Sequence, residues 1–431
     1  MLTRRHFIEL PPATAAATGF AGGLTRVAAQ QKLSQSDLLK FDAKGQVTLL
    51  HLTDIHAQLK PIYFRPPSEN FGVGAFEGIP PHLVGEDFLK HFGIKAGSPN
   101  AYAHTMVDYV NLAKTYGRLG GLDRIATLVK SIRADRGDDK VLLLDGGDTW
   151  QGSYTALKTK GQDMIDCMKL LKPDAMVGHW EFTYGEERVK QVIDSLGFPF
   201  LGGNVVDNEF EEAVFESTKI FEKGGVKVAV IGQAFPYTPI ANPRWMFPKW
   251  SFGIRPERIQ SHVDKARADG AEVVVLLSHN GCDVDQKLAT VVKGIDVILT
   301  GHTHDAIPVA LKIGKTLLLS SGSHGKYLGR VDLEVKGGQV VDYNSTMIPV
   351  FSDAIEPDKE VAAKIAEVRA PYEKECNRVI GKTEGMLYRR GNFNGTWDEL
   401  LCDALIDVQT AEIAFSPGFR WGTSLLPGDA I

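Results

Sequence analysis

The stretch Val141-Leu142-Leu143-Leu144-Asp145-Gly146-Gly147-Asp148-Thr149-Trp150-Gln151-Gly152 decides the fold. Four apolar residues in a row read as a buried strand, and the glycine pair lets the backbone turn sharply enough to leave the carboxylate of Asp148 at the strand's end. In an open α/β sheet, ligands bind in the crevice beyond the carboxyl ends of the strands, so a carboxylate there is placed for chemistry. Taken alone, the segment equally describes an ordinary strand-ending turn, because Asp and Gly are common turn residues. Four other segments break the tie.

Upstream, residues 46–52 (Gln-Val-Thr-Leu-Leu-His-Leu) read as a buried strand running into Thr53-Asp54-Ile55-His56. An Asp and a His two apart on a turn can share one metal ion, although a lone Asp-x-His is more often a surface loop. Downstream, residues 174–177 lead through Gly178 to His179, residues 272–278 lead to His279, and residues 295–300 lead through Gly301 to His302 and His304. Residues 198–206 and 227–232 read as two more strands. Helical spacing puts Leu122, Ile125, Leu128, Val129 and Ile132 on one face, and Met164, Ile165, Met168 and Leu171 on another, with Pro173 as the stop. Both faces are core. Residues 306–321 and 328–349 read as antiparallel strands closing the domain. Strands alternating with helices make the chain α/β.

Five strand-end segments thus carry Asp54, His56, Asp148, His179, His279, His302 and His304, which include five of the twelve histidines. Seven ligands suit two metals sharing one bridging carboxylate, an arrangement in which both ions clamp a substrate oxygen and activate water. Mixed imidazole and carboxylate donors fit Zn, Mn, Fe or Ni and argue against calcium. His51, inside a strand, and His324, in a Gly-rich turn, read as supporting residues. Residues 60–117, rich in Pro, Gly and aromatics, interrupt the passage from the first strand to its helix, which is the mark of a lid or binding loop.

The ends and the composition bound the rest. Residues 1–29 read as a Tat signal peptide: Arg4 and Arg5 precede a weakly apolar segment that ends in Val27-Ala28-Ala29. That expects export to the periplasm. No other apolar run reaches the ~18 residues that span a bilayer. The four cysteines, 167, 282, 376 and 402, form no C-x-x-C pair, which leaves no Cys-based zinc or redox site and leaves disulfides unassigned. A net charge of −5 without a basic block argues against nucleic acid. The length of 431 residues, 43% hydrophobic, suggests at least two domains. Residues 351–377 read as a linker helix, and residues 378–431 as the start of a second, truncated domain.

These motifs resemble the dinuclear metallophosphoesterases of the 5′-nucleotidase group over roughly residues 46–350. The resemblance implies a four-layer αββα metal domain over residues 45–350, followed by the beginning of a smaller α/β 5′-nucleotidase-type C-terminal domain. It also implies Asp54, His56 and His304 around one metal, His279 and His302 around the other, and Asp148 bridging. One segment departs. Where the group usually reads Gly-Asn-His-Glu-Phe-Asp-Tyr-Gly, residues 178–185 read Gly-His-Trp-Glu-Phe-Thr-Tyr-Gly. His179 thus replaces an Asn ligand, and Trp180 and Thr183 replace the catalytic His and its Asp partner.

That departure, the long insertion and the Tat signal together resemble the SoxB family of thiosulfohydrolases. The implied enzyme holds two Mn2+, with Zn2+ as the alternative, and hydrolyses the terminal sulfonate of a Cys-S-thiosulfonate on the carrier protein SoxYZ, releasing sulfate. Asp148, His179 and Arg420 are the expected catalytic residues, with Arg420, Trp180 and Thr183 on the substrate. Arg420, in a Gly-rich turn, can pair its guanidinium with two sulfonate oxygens. The loss of the His and Asp pair also has a physical reading. An alkoxide leaving group benefits from a proton donor, whereas a thiolate or persulfide, with a conjugate pKa near or below ~8.5, does not. The rivals are a periplasmic 5′-nucleotidase-like phosphoesterase and a non-catalytic metal-binding partner protein. Seven filled ligand positions argue against the second.

Overall fold

The structure, a computed structural model, describes residues 33–389, 395–416 and 422–431. The expected signal segment, residues 1–29, lies outside them. Every residue of strand β1 (Val47–Leu52) is buried. Period-two alternation sends Val47 and Leu49 to one core and Leu50 and Leu52 to another, so the strand needs cover on both faces. β2 (Val141–Asp145) runs parallel to it with Leu52 opposite Asp145, and β3 (Ala175–Met176) extends the sheet. β4 (Val206–Asp207) and β7 (Trp250–Ser251) form a separate two-stranded ribbon.

The second sheet contains β5 (Thr218–Lys223), β6 (Val226–Gln233), β8 (Val273–Ser278), β9 (Val297–Thr300), β10 (Leu311–Ile313) and β11 (Thr316–Ser320), in the order β10-β11-β9-β8-β6-β5. The hairpin of β12 (Tyr327–Lys336) and β13 (Gln339–Pro349) completes the first sheet as β13-β12-β1-β2-β3. Leu49 and Leu144 from one sheet meet Val230, Val275 and Leu299 from the other in a shared core. Helices Leu122–Arg136, Gln162–Leu171 and Glu186–Leu196 cover the outer face of the first sheet. Helices Pro256–Ala268 and Cys282–Val291 cover the second. The result is the four-layer αββα sandwich.

Several expectations change in detail. Residues 198–206 make isolated bridges at Phe200 and Leu201 and the short β4 in place of one continuous strand, and β5 was not anticipated. Residues 306–321 and 328–349 contain the expected antiparallel strands, β10 with β11 and β12 with β13, but in different sheets: β11 also pairs in parallel with β9 in the second, whereas β12 pairs antiparallel with β1 in the first. Burial does not distinguish them, since β11 and most of β12 are buried, so only pairing sorts the two stretches between sheets. The segment expected as a linker is helix Lys359–Arg369, whose Val361 and Ile365 pack into the first helical layer. Asp358 caps it by accepting from the Val361 N–H at 3.1 Å, a contact of the kind that contributes about 1 kcal/mol.

The insertion carries short helices Gly85–His91, Pro99–His104 and Tyr109–Tyr116. It is tied to the domain: Asn70 donates to Asp305 at 3.1 Å, and His82 Nε2 lies 3.1 Å from Asp283. Residues 34–431 form one compact unit. Within it the C-terminal stretch reaches the insertion, the Ser424 N–H donating to the Tyr63 carbonyl at 2.7 Å. Helix Thr396–Gln409 buries no side chain there and leaves Leu400, Leu405 and Val408 exposed. All four cysteines are free thiols. Among the described residues no helix is long and apolar enough to cross a membrane.

Candidate metal centre

Parallel pairing brings the strand ends side by side. Beyond β1 and β2 the turns continue as a ladder: Asp54 N–H donates to Gly147 O at 2.8 Å, His56 N–H to Asp148 O at 2.7 Å, and Ala57 N–H to Thr149 O at 2.9 Å. β8 and β9 pair Ser278 with Thr300, so His279 and the segment from Gly301 to His304 also leave their sheet together. Asp54, His56, Asp148, His302 and His304 all have φ between 51° and 80°. Non-glycine residues in that left-handed region store strain on the order of 1–3 kcal/mol each and persist only where neighbours over-determine them. Gly301 serves by close approach. A Cβ there would stand 2.3 Å from Thr53 Oγ1 and 3.0 Å from Asp54 Oδ2.

The seven residues singled out in the sequence gather into two sets. Asp148, His179, His279 and His302 form one and Asp54, His56, Asp148 and His304 the other, with the donor atoms of each set within 4.8 Å of one another. Asp148 belongs to both. In the first set, Oδ2 of Asp148 is 2.9 Å from His179 Nδ1 and 3.1 Å from His279 Nε2. In the second, His56 Nε2 is 3.0 Å from His304 Nε2, which is 3.1 Å from Asp54 Oδ1. The main chain orients two rings: His279 Nδ1 donates to Gly146 O at 2.5 Å and His56 Nδ1 to Gln151 O at 3.2 Å, which turns each Nε2 toward the centre.

The donor set fits a pair of divalent ions. Imidazole nitrogens facing one another at hydrogen-bond distance, with carboxylates between them, are what a shared cation would reconcile. Buried Nδ1 of His302 has no hydrogen-bond partner. Burial, reinforced by the neighbouring His279, pushes His302 down to about 3, and burial also lowers His179, so both rings are neutral donors at ordinary pH. Burial acts to raise Asp148, but His179, His279 and His56 outweigh it and hold the carboxyl well below its usual range. For His279 burial is likewise overcome: the carboxylates of Asp148 and Asp54 raise it.

Sequence reasoning missed the residues that hold this centre. Glu181, fully buried, accepts four main-chain N–H bonds: Thr149 at 2.6 Å, His179 at 2.7 Å, Trp150 at 3.1 Å and Asp148 at 3.2 Å. It staples the Asp148 turn to the His179 turn. Its signal was a carboxylate between Trp180 and Phe182, two residues past a ligand. Asp145 braces the Asp148 turn from the β2 end, accepting from the Gly147 N–H at 3.0 Å and the Thr149 hydroxyl at 2.8 Å, and burial lifts it to about 7. Phe235 packs its ring against His179 and His302.

The remaining expected residues are placed less directly. The Trp180 N–H donates to Asp148 Oδ1 at 2.7 Å, and its half-buried ring lies 5.0 Å from that of His179. The Thr183 hydroxyl donates to Asn242 Oδ1 at 3.3 Å. Arg420 lies outside the described residues. His51 bonds Ser321 Oγ at 2.8 Å inside the sandwich, and the His324 ring packs 5.4 Å from His56 and 5.6 Å from His304.

Comparison with known proteins places this geometry. No protein-family model matches the chain. The structure of a sulfate thiohydrolase SoxB from Thermus thermophilus superposes with a TM-score of 0.87 at 36% identity, covering 91% of this chain and 73% of that one. A 5′-nucleotidase precursor, also from Thermus thermophilus, superposes with a TM-score of 0.65 at 22% identity, covering 85% and 67%, which shows a common fold. The snake venom 5′-nucleotidase of Naja atra is 27% identical over 320 residues, 67% of this chain and 59% of the venom protein. The chain thus spans a little over half the length of the curated relatives it matches.

Proposed function

Because the chain belongs to the SoxB family, within the 5′-nucleotidase group of dinuclear metallophosphoesterases, we propose that it is a Tat-exported periplasmic thiosulfohydrolase that releases sulfate from a Cys-S-thiosulfonate on the carrier SoxYZ, with two Mn2+ as its ions. In the reaction a water oxygen bonds to the sulfonate sulfur and the S–S bond breaks. Its electron pair stays on the carrier as persulfide, and two protons pass to solvent with sulfate.

The segment from Gly178 to Thr183 carries this reading. His179 sits among the donors of one metal set, while the next positions offer no acid–base pair: Trp180 has only an indole N–H, and the Thr183 hydroxyl is engaged by Asn242. A persulfide needs no proton on departure, its conjugate acid having a pKa at or below the ~8.5 of a thiol. Two divalent ions, when bound, supply Lewis acidity toward the sulfonate oxygens and a lowered pKa of water. The chain's own part is to hold Asp148 between the two donor sets, to keep His179 and His302 neutral, and to orient the imidazoles. Arg420 is assigned to the sulfonate oxygens. The insertion, anchored beside His304 through Asn70 and Asp305, is assigned to the wall along which the carrier's Cys-bearing arm enters.

The curated relatives favour a second reading, a 5′-nucleotidase-like phosphoesterase. One assay separates the two: the purified, metal-loaded protein is offered carrier-bound thiosulfonate and AMP in parallel. Sulfate release with little phosphate release is the expected outcome. Phosphate release from AMP without sulfate release would favour the nucleotidase, and neither would overturn both.

A further inference from the structure

Phe235 stands just past the end of β6, with its side chain almost fully buried. Its ring centroid lies 4.0 Å from that of His179, 4.0 Å from that of His302 and 6.2 Å from that of His279. These are the three imidazoles of one donor set. The imidazoles of the other set, His56 and His304, pack against His324. At 4.0 Å two rings are in van der Waals contact, so neither His179 nor His302 can turn about its Cβ–Cγ bond toward Phe235 without collision.

The wedge is itself held. Asn204, 1% exposed, accepts from the Ala234 N–H at 2.8 Å and donates to the Ala234 carbonyl at 2.7 Å, gripping both polar groups of the residue before Phe235. The same amide donates to Gly253 O at 3.0 Å, which ties the grip to a second loop. The Phe235 N–H donates to Gly178 O at 3.0 Å, directly ahead of His179. These bonds fix the backbone from which the ring projects onto the imidazoles it touches.

We propose that Phe235 is a positioning residue for one of the two metal sites only, wedging His179 and His302 into ligating orientation, and that Asn204 holds the wedge in place. This rests on the two-metal reading of the centre. It assigns different supports to the two sites: an aromatic wedge on the His179 side and the His324 ring on the His56 side.

The test uses the whole protein loaded with Mn2+ as the probe and dialysed against graded free Mn2+, reading metal per chain together with the electron paramagnetic resonance spectrum. Wild type should hold two ions with a spin-coupled signal. Fewer than two would overturn the two-metal reading itself. Phe235→Ala should lose one ion per chain at Mn2+ levels that fill both sites in wild type, its affinity falling roughly 10–100-fold, the range typical for residues that orient ligands, and the remaining ion should give an uncoupled spectrum. Asn204→Leu should produce the same one-site loss with the phenyl ring intact, and Phe235→Leu, which keeps most of the bulk, should fall between. Thermal melting of the metal-free variants separates misfolding from metal loss; if Phe235→Ala does not fold, Phe235→Leu decides on the same criterion. Equal weakening of both sites, or an unchanged titration, overturns the proposal.

Discussion

Oδ2 of Asp148 lies 2.9 Å from Nδ1 of His179, and the same oxygen is 3.1 Å from His279 Nε2 and 3.6 Å from His56 Nε2. One carboxylate oxygen thus faces donors from both sets, and removing its charge reaches both at once. Asp148→Asn should weaken both metal equivalents and lower turnover roughly 100-fold or more, the scale of losing one preorganised electrostatic group. Elemental analysis after desalting, beside an activity assay, checks this. Two tightly held metals per chain would show that Asp148 is not shared.

His179→Asn should behave differently. It restores the ligand usual in the wider nucleotidase group, and the Asp148 turn keeps its staple because the main-chain N–H of residue 179 still bonds Glu181. Two metals per chain should remain, with the ion of the His179 set bound more weakly as the contact with Phe235 is lost. Metal titration checks both statements, and complete loss of one ion would mean that Asn is no equivalent ligand in this chain.

Glu181→Ala tests the staple. The substitution leaves four buried main-chain N–H groups without their acceptor, and an orphaned buried donor costs about 1–3 kcal/mol, so the metal-free protein should lose roughly 3–5 kcal/mol even after partial relaxation. Burial, together with the charge of Asp148, raises the pKa of Glu181 in the native state. Urea unfolding of the metal-free protein is the measurement. A loss within ~0.5 kcal/mol of zero, typical of surface changes, would show that water replaces the carboxylate at little cost.

What was readable in the sequence follows from what each residue does. The ligands were visible because Asp54, Asp148, His279 and His302 follow strands whose apolar runs are unmistakable, and parallel pairing then had to set those ends side by side. The supports were not. Glu181 and Asn204 act chiefly through main-chain hydrogen bonds with segments far away in sequence, and Phe235 acts by shape, so no hydrophobic period reveals what they hold, although Glu181 sits within the 178–185 motif. Sheet membership was hidden for a related reason. β11 is buried throughout and β12 over its first seven residues, and only tertiary pairing sends one to each sheet.

The pH dependence of stability offers a test away from the ligands. Asp285, fully buried behind β8 and β9, accepts from Ser278 Oγ at 2.9 Å, Asn280 Nδ2 at 3.0 Å and Thr300 Oγ1 at 2.6 Å. Burial nonetheless pushes it up to about 6, the hydrogen bonds offsetting only part. A carboxyl raised above its unfolded value of 3.8 binds more protons in the native state than in the unfolded chain. Its contribution to stability is therefore intact below about pH 4, falls as pH rises, and is fully lost above about pH 6. Asp285→Asn carries no charge at any pH, and its amide can keep all three contacts once the Thr300 hydroxyl turns to accept. Relative to wild type, the metal-free variant should gain stability between about pH 4 and about pH 7, by about 3 kcal/mol at most. Urea unfolding at the two ends of that window reads the difference directly. A gap between the proteins that stays constant with pH would mean that Asp285 titrates in the native state as it does in the unfolded chain.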